Sequence, residues 1–413
     1  MRLEPLTQSR PKHLLAVAGS PLIAHTLNAV KAAGISEALL VVHYMKESIQ
    51  AFLGDGTSLG MKLEYADQGG VFGTGHAVKI AKQFVGNEPF LLVYGDLAFE
   101  PSTLKKAVTA YENNLSGVIV GVCFEDVSEY GAMETDRGML VKLVEKPQSG
   151  GAGTINGGIY VFSPQIFQLV DETPKSMRGE IELTSTINLS IEKGGSYKVI
   201  QVGRNEWVDV GRPWNLLEAN RMLMDALLSG SSIQGDVEEG ASLHGNIWVD
   251  KGASVLSGAY IEGPVWISSG CRVGPNCHLR PYTYLCDGVK VGNGCEIKAS
   301  IVMEGSHIGH LSYVGDSVIG ARCNLGAGTI TANLRFDEKP VNVKIKDQAV
   351  SSGRKKLGVF LGDDVKTGIN VSLYPGVKVG QGSWIGPHTA IDRDVPRGVI
   401  VSSRIALEMK PRR

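Results

Sequence analysis

The sequence predicts an α/β domain followed by a parallel β-helix of hexapeptide repeats, and two observations carry that reading. Over residues 1–228 helical and strand patterns alternate, as they do where helices pack on a mostly parallel sheet. Further on, aliphatic residues recur every six positions: Val237, Leu243, Val249, Val255, Ile261, Ile267, Val273, Leu279, Leu285, Val291 and Ile297. That period belongs neither to an α-helix nor to a simple alternating strand. With glycine often beside the aliphatic residue, it is the repeat of a β-helix. Three hexapeptides close one triangular coil, so residues eighteen apart stack. Two positions before the aliphatic residue the side chain is often small, as at Ala241, Ala253, Cys271, Cys277 and Cys295, which suits crowded corners.

Composition narrows the class. The chain has 413 residues, long enough for two or three domains. Its 43% hydrophobic and 20% charged content is that of a soluble globular protein. A net charge of −1 leaves no footprint for nucleic acid. No apolar run is long enough to span a bilayer, and the N-terminus lacks the apolar core of a signal peptide. Five of six cysteines lie in the repeat region; none has CxxC spacing, so zinc is not expected. Cys277 and Cys295 stack at the eighteen-residue spacing, which permits a disulfide, but small buried core residues are the preferred reading. The expected compartment is the cytoplasm.

In chain order, Pro21 to Gly34 reads as a helix, opened by proline and closed by glycine. Residues 38–42 (ALLVV) form a buried strand. Residues 73–84 open with glycines and continue as a helix. Residues 90–93 (FLLV) are a strand ending in Tyr94-Gly95-Asp96. Residues 117–122, 140–144 and 159–162 are further strands, and 213–228 a helix. The Ser/Gly cluster 229–232 is the linker, so the expected domains are 1–228 and 229–413.

The segment RLEPLTQSRPKHLLAVAGSPLIAHTL, followed in order by GTGHA, YGD, EYG, VEKP, INGGIY and WVDVG, resembles the sugar-1-phosphate nucleotidylyltransferases over residues 1–228. The resemblance implies a nucleotidyltransferase domain with a Rossmann-like mixed sheet. In such enzymes a sugar-1-phosphate oxygen attacks the α-phosphate of a nucleoside triphosphate. Both reactants are anionic, so the site needs cations and Mg²⁺. Asp96, at a strand's carboxyl end where α/β sheets bind ligands, and Asp209 match the metal ligands. Lys12 matches the phosphate-binding lysine, and Gln68, Gly73 and Thr74 match positions that read the base. Tyr94 and Gly95 stand beside the metal position. Gly131, Glu145, Lys146 and Asn156 match positions around the sugar and its phosphate. UTP and dTTP both remain open as the nucleotide.

One departure concerns the start. The family begins with a buried strand and a loop of the form LAAGxGxR ahead of RLEPLT, whereas this sequence begins at Met1-Arg2-Leu3. That loop supplies backbone N–H groups to the triphosphate. Either the polypeptide starts upstream, which is the favoured reading, or nucleotidyl transfer is crippled.

Beyond Ile297 the six-residue register slips near Met303, and polar residues gather. The stretch GHLSYVGDSVIGARCNLGAGTITAN, from Gly309 to Asn333, with CHLRP and CEIKAS upstream, resembles the left-handed β-helix acetyltransferase half of bifunctional sugar-1-phosphate nucleotidylyltransferase/acetyltransferases. N-acetylation needs a base for the amine and donors for the tetrahedral oxyanion. An imidazole, with an ordinary pKa of about 6.5, suits the base. The resemblance implies His310 as that base and Glu296 as the carboxylate that orients it. It implies Arg280 and Lys298 on the sugar phosphate, and Tyr313, Asn324 and Asn333 on the amino sugar and acetyl group. Acetyl-CoA is the co-substrate, with Lys339 a further phosphate contact. Leu334 stands where bacterial members usually carry Tyr, which leaves glucosamine and galactosamine both open as acceptor.

Between Thr331 and Val359 the register is lost in a polar, basic segment, read as a loop projecting toward a neighbouring subunit. It resumes at Val359, Val365, Val371 and Val377, with a second slip to Val379, Ile385 and Ile391. Hexapeptide acyltransferases of this kind form trimers with sites between subunits, so a homotrimer is expected. The basic tail 410–413 reads as a solvated end. Two alternatives stay open. In one, the β-helix only holds an oligomer together; in the other, the chain is a regulatory subunit that senses nucleotide sugars.

Overall fold

The computed structural model describes every residue except 1, 71, 129, 146, 148, 149, 405–408 and 410–413. Lys146 and the basic tail therefore lie outside the described residues. The chain divides into two compact units, Pro21–Asp209 and Met1–Ser20 with Val210–Arg413. The division differs from one at residue 228, because the first twenty residues and the helix Asn215–Leu227 fall within the β-helix unit.

In the unit Pro21–Asp209 the helices are α1 (Leu22–Ala32), α2 (Lys46–Leu53), α3 (Thr74–Val85), α4 (Ser102–Thr109), α5 (Ile166–Glu172) and α6 (Leu183–Glu192). Helix α1 buries Leu22, Ile23, Leu27 and Val30 on one face, and Gly34 at φ +91° ends it. The strands are β1 (Glu37–Val42), β2 (Lys62–Asp67), β3 (Phe90–Val93), β4 (Leu97–Phe99), β5 (Gly117–Phe124), β6 (Gly131–Asp136), β7 (Met139–Glu145), β8 (Gly153–Phe162), β9 (Tyr197–Val202) and β10 (Trp207–Asp209). Six of them form one sheet in the order β3-β8-β5-β9-β7-β6, while β1–β2 and β4–β10 are separate pairs.

That sheet is mixed, and within it only β5 and β9 run parallel. The mixed sheet that the resemblance implies is present, and the mostly parallel one that the α/β alternation suggests is not. The alternating α/β pattern misses the β6–β7 hairpin, which turns through Arg137 and Gly138 at φ +47° and +81°. It also misses that β8 runs antiparallel to both of its long neighbours. Ile119, Tyr160, Phe162, Phe167, Leu183 and Ile187 fill the core between this sheet and the helices α5 and α6.

In the other unit the repeats build three parallel sheets, one per face of a prism. The hexapeptide aliphatics point inward, and from Val249 to Ile297 they are almost wholly inaccessible. Each such burial contributes about 2 kcal/mol. The five cysteines of this region are buried and unpaired, so Cys277 and Cys295 form no disulfide.

Coils of eighteen residues run up to Leu285. Then Leu285 pairs with Val302, and Val302 with Ile319, so two successive coils are one residue short. The residues given up lie at the corners Lys298-Ala299-Ser300 and Gly315-Asp316-Ser317, where Ala299 and Asp316 adopt φ +45° and +49°. The first slip thus comes just before Met303, and a second follows it at Asp316. By contrast, Val377 to Val379 is no slip. Leu361, Thr367, Leu373 and Val379 continue the stacked series, while Val359, Val365, Val371 and Val377 occupy the small-residue position two places earlier. The segment 332–358 is an insertion in one coil, and it folds back as a hairpin of Asn342–Ile345 with Gln348–Ser351.

The first residues are bound to this prism by charge. Arg10 lies 2.6 Å from Glu304 and 2.8 Å from Asp363, whose carboxylate also accepts from Ser9 Oγ and Ala321 N. Helix α7 (Asn215–Leu227) places Asn220 between Ala18 N and the Tyr282 carbonyl. Asp363 is 2% exposed, so removing its carboxylate leaves the Ala321 amide without its acceptor and Arg10 with Glu304 alone. Asp363→Ala is expected to cost about 3 kcal/mol in chemical denaturation of this unit, and Asp363→Asn less. An unchanged denaturation midpoint in Asp363→Ala would show that the contact is incidental. Among the described residues no helix is long and apolar enough to cross a membrane.

Candidate active sites

The two shortened corners of the prism are where its polar residues meet. Lys298 ends a strand on one face and Asp316 stands above it at the next corner, with Lys298 Nζ 3.2 Å from Asp316 Oδ2. Asn333 Nδ2 donates to the same oxygen at 2.7 Å and to the Tyr313 hydroxyl at 3.1 Å. Arg354, from the end of the insertion, lies 3.8 Å from Asp316 Oδ1. Asp316 is 4% exposed, so this is a buried carboxylate surrounded by donors. Gly315 is required here, because a Cβ on it would collide with the Tyr313 hydroxyl. Burial pushes the Tyr313 phenol up, and the charge of Asp316 adds to the effect.

On the same face one coil below, Arg280 donates to Glu296 at 2.8 Å. That bond, reinforced by the charge of Glu296, raises the guanidinium pKa. His310 sits at the corner before Tyr313. Its carbonyl is pinned by Ser312 Oγ at 2.8 Å and Gly328 N at 3.2 Å, while its side chain is exposed. The Glu296 carboxylate, expected to orient His310, accepts from Arg280 in this structure, because both residues project from adjacent coils of one face.

The structure therefore brings together Lys298, Tyr313 and Asn333, with the Arg280–Glu296 pair beside them. Asn324 lies on the neighbouring face, stacked between His307 and Lys366. Lys339 is exposed in the insertion, in the turn that its N–H makes with Asp337. Sequence reasoning missed Asp316 and Arg354. Asp316 stood inside the quoted motif, but its value comes from a corner one residue short; Arg354 sat in a segment without register.

In the unit Pro21–Asp209 the expected residues form neighbouring groups. Gln68 Nε2 donates to the Gly73 carbonyl at 3.0 Å. Gly73 adopts φ +91° against the Ile181 carbonyl, where a side chain has no room. Thr74 Oγ1 accepts from Leu183 N at 3.0 Å and also bonds Tyr94. Burial pushes the Tyr94 phenol up; it stands 3.4 Å from the Tyr160 hydroxyl, which in turn meets Asn156. Gly131 lies opposite Glu145 across the β6–β7 hairpin, and a Cβ on it would stand 3.3 Å from Glu145 Oε2 and 3.8 Å from Asn156. Tyr160 is the residue missed here, since a fully buried tyrosine reads as core in a sequence.

Gly95 and Asp96 form the turn between β3 and β4. Strand β10 pairs antiparallel with β4 so that Asp209 faces Leu97, the residue after Asp96. Among the described residues no group of three or more His, Cys, Asp or Glu gathers as a metal cage. Two carboxylates at adjoining strand ends nevertheless suit Mg²⁺, which keeps waters and takes the rest of its shell from substrate phosphates. Lys12 belongs to the other compact unit, on a short 3₁₀ turn after Pro11.

The family described as nucleotidyl transferase matches residues 1–226, and that described as GMPPB C-terminal domain matches 261–373. The bifunctional protein GlmU of Methanocaldococcus jannaschii is 42% identical over 98% of this chain and 95% of its own length. The bifunctional sugar-1-phosphate nucleotidylyltransferase/acetyltransferase of Sulfurisphaera tokodaii is 40% identical over 96% of each. The chain belongs to the bifunctional sugar-1-phosphate nucleotidylyltransferase/acetyltransferase family. Membership makes it an enzyme of two transfers, and the reading of the β-helix as mere oligomerisation or regulatory module gains no support. A crystal structure named for a glucose-1-phosphate thymidylyltransferase of Bacillus anthracis aligns with TM-score 0.50 at 24% identity, over 56% of this chain and 93% of that one. At that identity it shows the fold of the nucleotidyltransferase half alone.

Proposed function

We propose that the β-helix half, residues 229–413, N-acetylates an amino-sugar-1-phosphate with acetyl-CoA, and that residues 1–228 join the product to a nucleotide from UTP or dTTP, releasing diphosphate. The observation that carries the reading is the donor cluster at the shortened corners beside an exposed His310. Arg280 and Lys298 hold the sugar phosphate. Tyr313 and Asn333 orient the sugar so that its amine faces His310, which takes the proton as nitrogen attacks the thioester carbonyl. The C–S bond breaks, the C–N amide forms, and CoA leaves as the thiol. Asn324 and Lys339 serve the acetyl donor, and a homotrimer is the assembly in which they would be completed by a neighbouring chain. Glu296 acts on His310 once an arriving phosphate competes for Arg280.

In the other half Gln68, Gly73 and Thr74 receive the base, Tyr94 and Gly95 line the turn that carries Asp96, and Gly131, Glu145, Lys146 and Asn156 receive the sugar. Lys12 neutralises phosphate charge. Mg²⁺ on Asp96 and Asp209 would supply charge neutralisation at the reacting phosphate. Unpaired cysteines throughout fit a reducing compartment such as the cytoplasm. Two assays on the purified chain test the proposal. Glucosamine-1-phosphate with acetyl-CoA should release free thiol, and N-acetylglucosamine-1-phosphate with UTP or dTTP and Mg²⁺ should release diphosphate. Thiol release only by bulk hydrolysis, without acetylated sugar, would sink the first half of the reading; absence of diphosphate with either nucleotide would sink the second.

A further inference from the structure

The groups around Asp316 do not balance without the insertion. Arg280 is matched by Glu296 at 2.8 Å and Lys298 by Asp316 at 3.2 Å, so these two pairs together carry no net charge. A phosphate monoester near neutral pH carries close to two negative charges. Two neutralised ion pairs attract it poorly, since each cation must first leave its carboxylate. Arg354 changes the sum. It approaches the other oxygen of Asp316, at 3.8 Å, and is the second cation on that carboxylate and the third of the group after Arg280 and Lys298.

Its place is set by the backbone rather than by chance packing. The Arg354 carbonyl accepts from Val341 N at 2.9 Å, and its amide N–H donates to Ser352 Oγ at 3.2 Å. Leu357 N then closes on the Asn333 carbonyl at 2.9 Å, which returns the insertion to the prism beside the cluster. The side chain remains 27% exposed, against 6% for Asp316, so the guanidinium can face both the carboxylate and an arriving solute.

From this we infer that Arg354 is a third cation of the acceptor subsite, binding the phosphate of the amino-sugar-1-phosphate, and that buried Asp316 is the positioning residue holding Arg354, Lys298 and Asn333 to it. The inference rests on the acetyl-transfer reading of this site for its ligand. A guanidinium presents paired donors that match phosphate oxygens, so a phosphate can take the outward edge of Arg354 while Asp316 keeps the inner one. The insertion, which sequence alone reads as a loop without register, then contributes to acceptor recognition within its own chain.

Calorimetric titration of inorganic phosphate and of glucosamine-1-phosphate into the full-length protein tests it, with acetyl-transfer kinetics run in parallel. Arg354→Gln should weaken both ligands about tenfold, the scale of one charge-assisted contact, and raise KM for the acceptor similarly with kcat within about threefold. Arg354→Lys, which keeps the charge and folds with less disturbance, should recover part of the affinity. Arg335→Gln, at an arginine paired with Asp337 elsewhere in the insertion, should change neither. Wild-type affinity in Arg354→Gln overturns the inference, as does equal weakening in Arg335→Gln. Phosphate binding that depends on Arg354 in a protein without acetyl transfer would instead overturn the reading of the reaction and leave the anion site standing.

Discussion

His310→Ala should lower acetyl transfer by roughly 10²–10⁴-fold, the span general acid–base catalysis contributes, while nucleotidyl transfer by the same preparation stays within about twofold. The split is expected because of how the residue is held. Its carbonyl anchors the corner through Ser312 and Gly328, whereas its side chain is exposed. Alanine keeps the carbonyl and loses only the imidazole, so a folded coil without a base results. Glu296→Gln should cost less, since that carboxylate is engaged by Arg280 before substrate arrives. Parallel thiol-release and diphosphate-release assays check both variants. Normal acetyl transfer in His310→Ala would end the assignment of the base; loss of both activities, with an unchanged melting profile, would end the picture of two independent sites.

Asp96→Asn should lower nucleotidyl transfer more than a hundredfold and leave acetylation intact. A metal that neutralises a reacting phosphate is worth several kcal/mol, and each 1.36 kcal/mol is a factor of ten. The amide retains the shape of the turn between β3 and β4, and the β4–β10 pairing that sets Asp209 beside it is made by backbone groups. The loss should therefore be chemical, not structural. Raising Mg²⁺ should restore a fraction of the rate in Asp96→Asn if the defect is affinity for the ion. Diphosphate release at the wild-type rate would remove Asp96 from the site.

Much of this was legible in the residues themselves. A hexapeptide period has one structural solution, because only a prism of three short strands per coil buries every sixth side chain, and Val249 to Ile297 point inward as the spacing requires. Glycines at Gly73 and Gly315 mark places where a side chain has no room. The roles proposed for His310, Tyr313 and Asn333 come from the resemblance carried by Gly309 to Asn333, a contiguous stretch of sequence.

Other features exist only in three dimensions. The direction of β8 follows from which strands it lies between, so the sheet is mixed where an α/β alternation suggests parallel. The alliance of the first twenty residues with the β-helix depends on Arg10 meeting Asp363, hundreds of residues away. The Arg280 partner of Glu296 was decided by coil stacking, which sets the two on adjacent coils of one face. Asp316 and Arg354 are neighbours because two coils are one residue short and an insertion returns beside them. Sequence by itself determined the repeat and the order of a nucleotidyltransferase half before a β-helix, which are local or periodic features. Tertiary structure alone decided which charges neutralise which, because Coulomb and hydrogen-bond partners are chosen by distance in space, and adjacent coils bring together residues that the chain keeps apart.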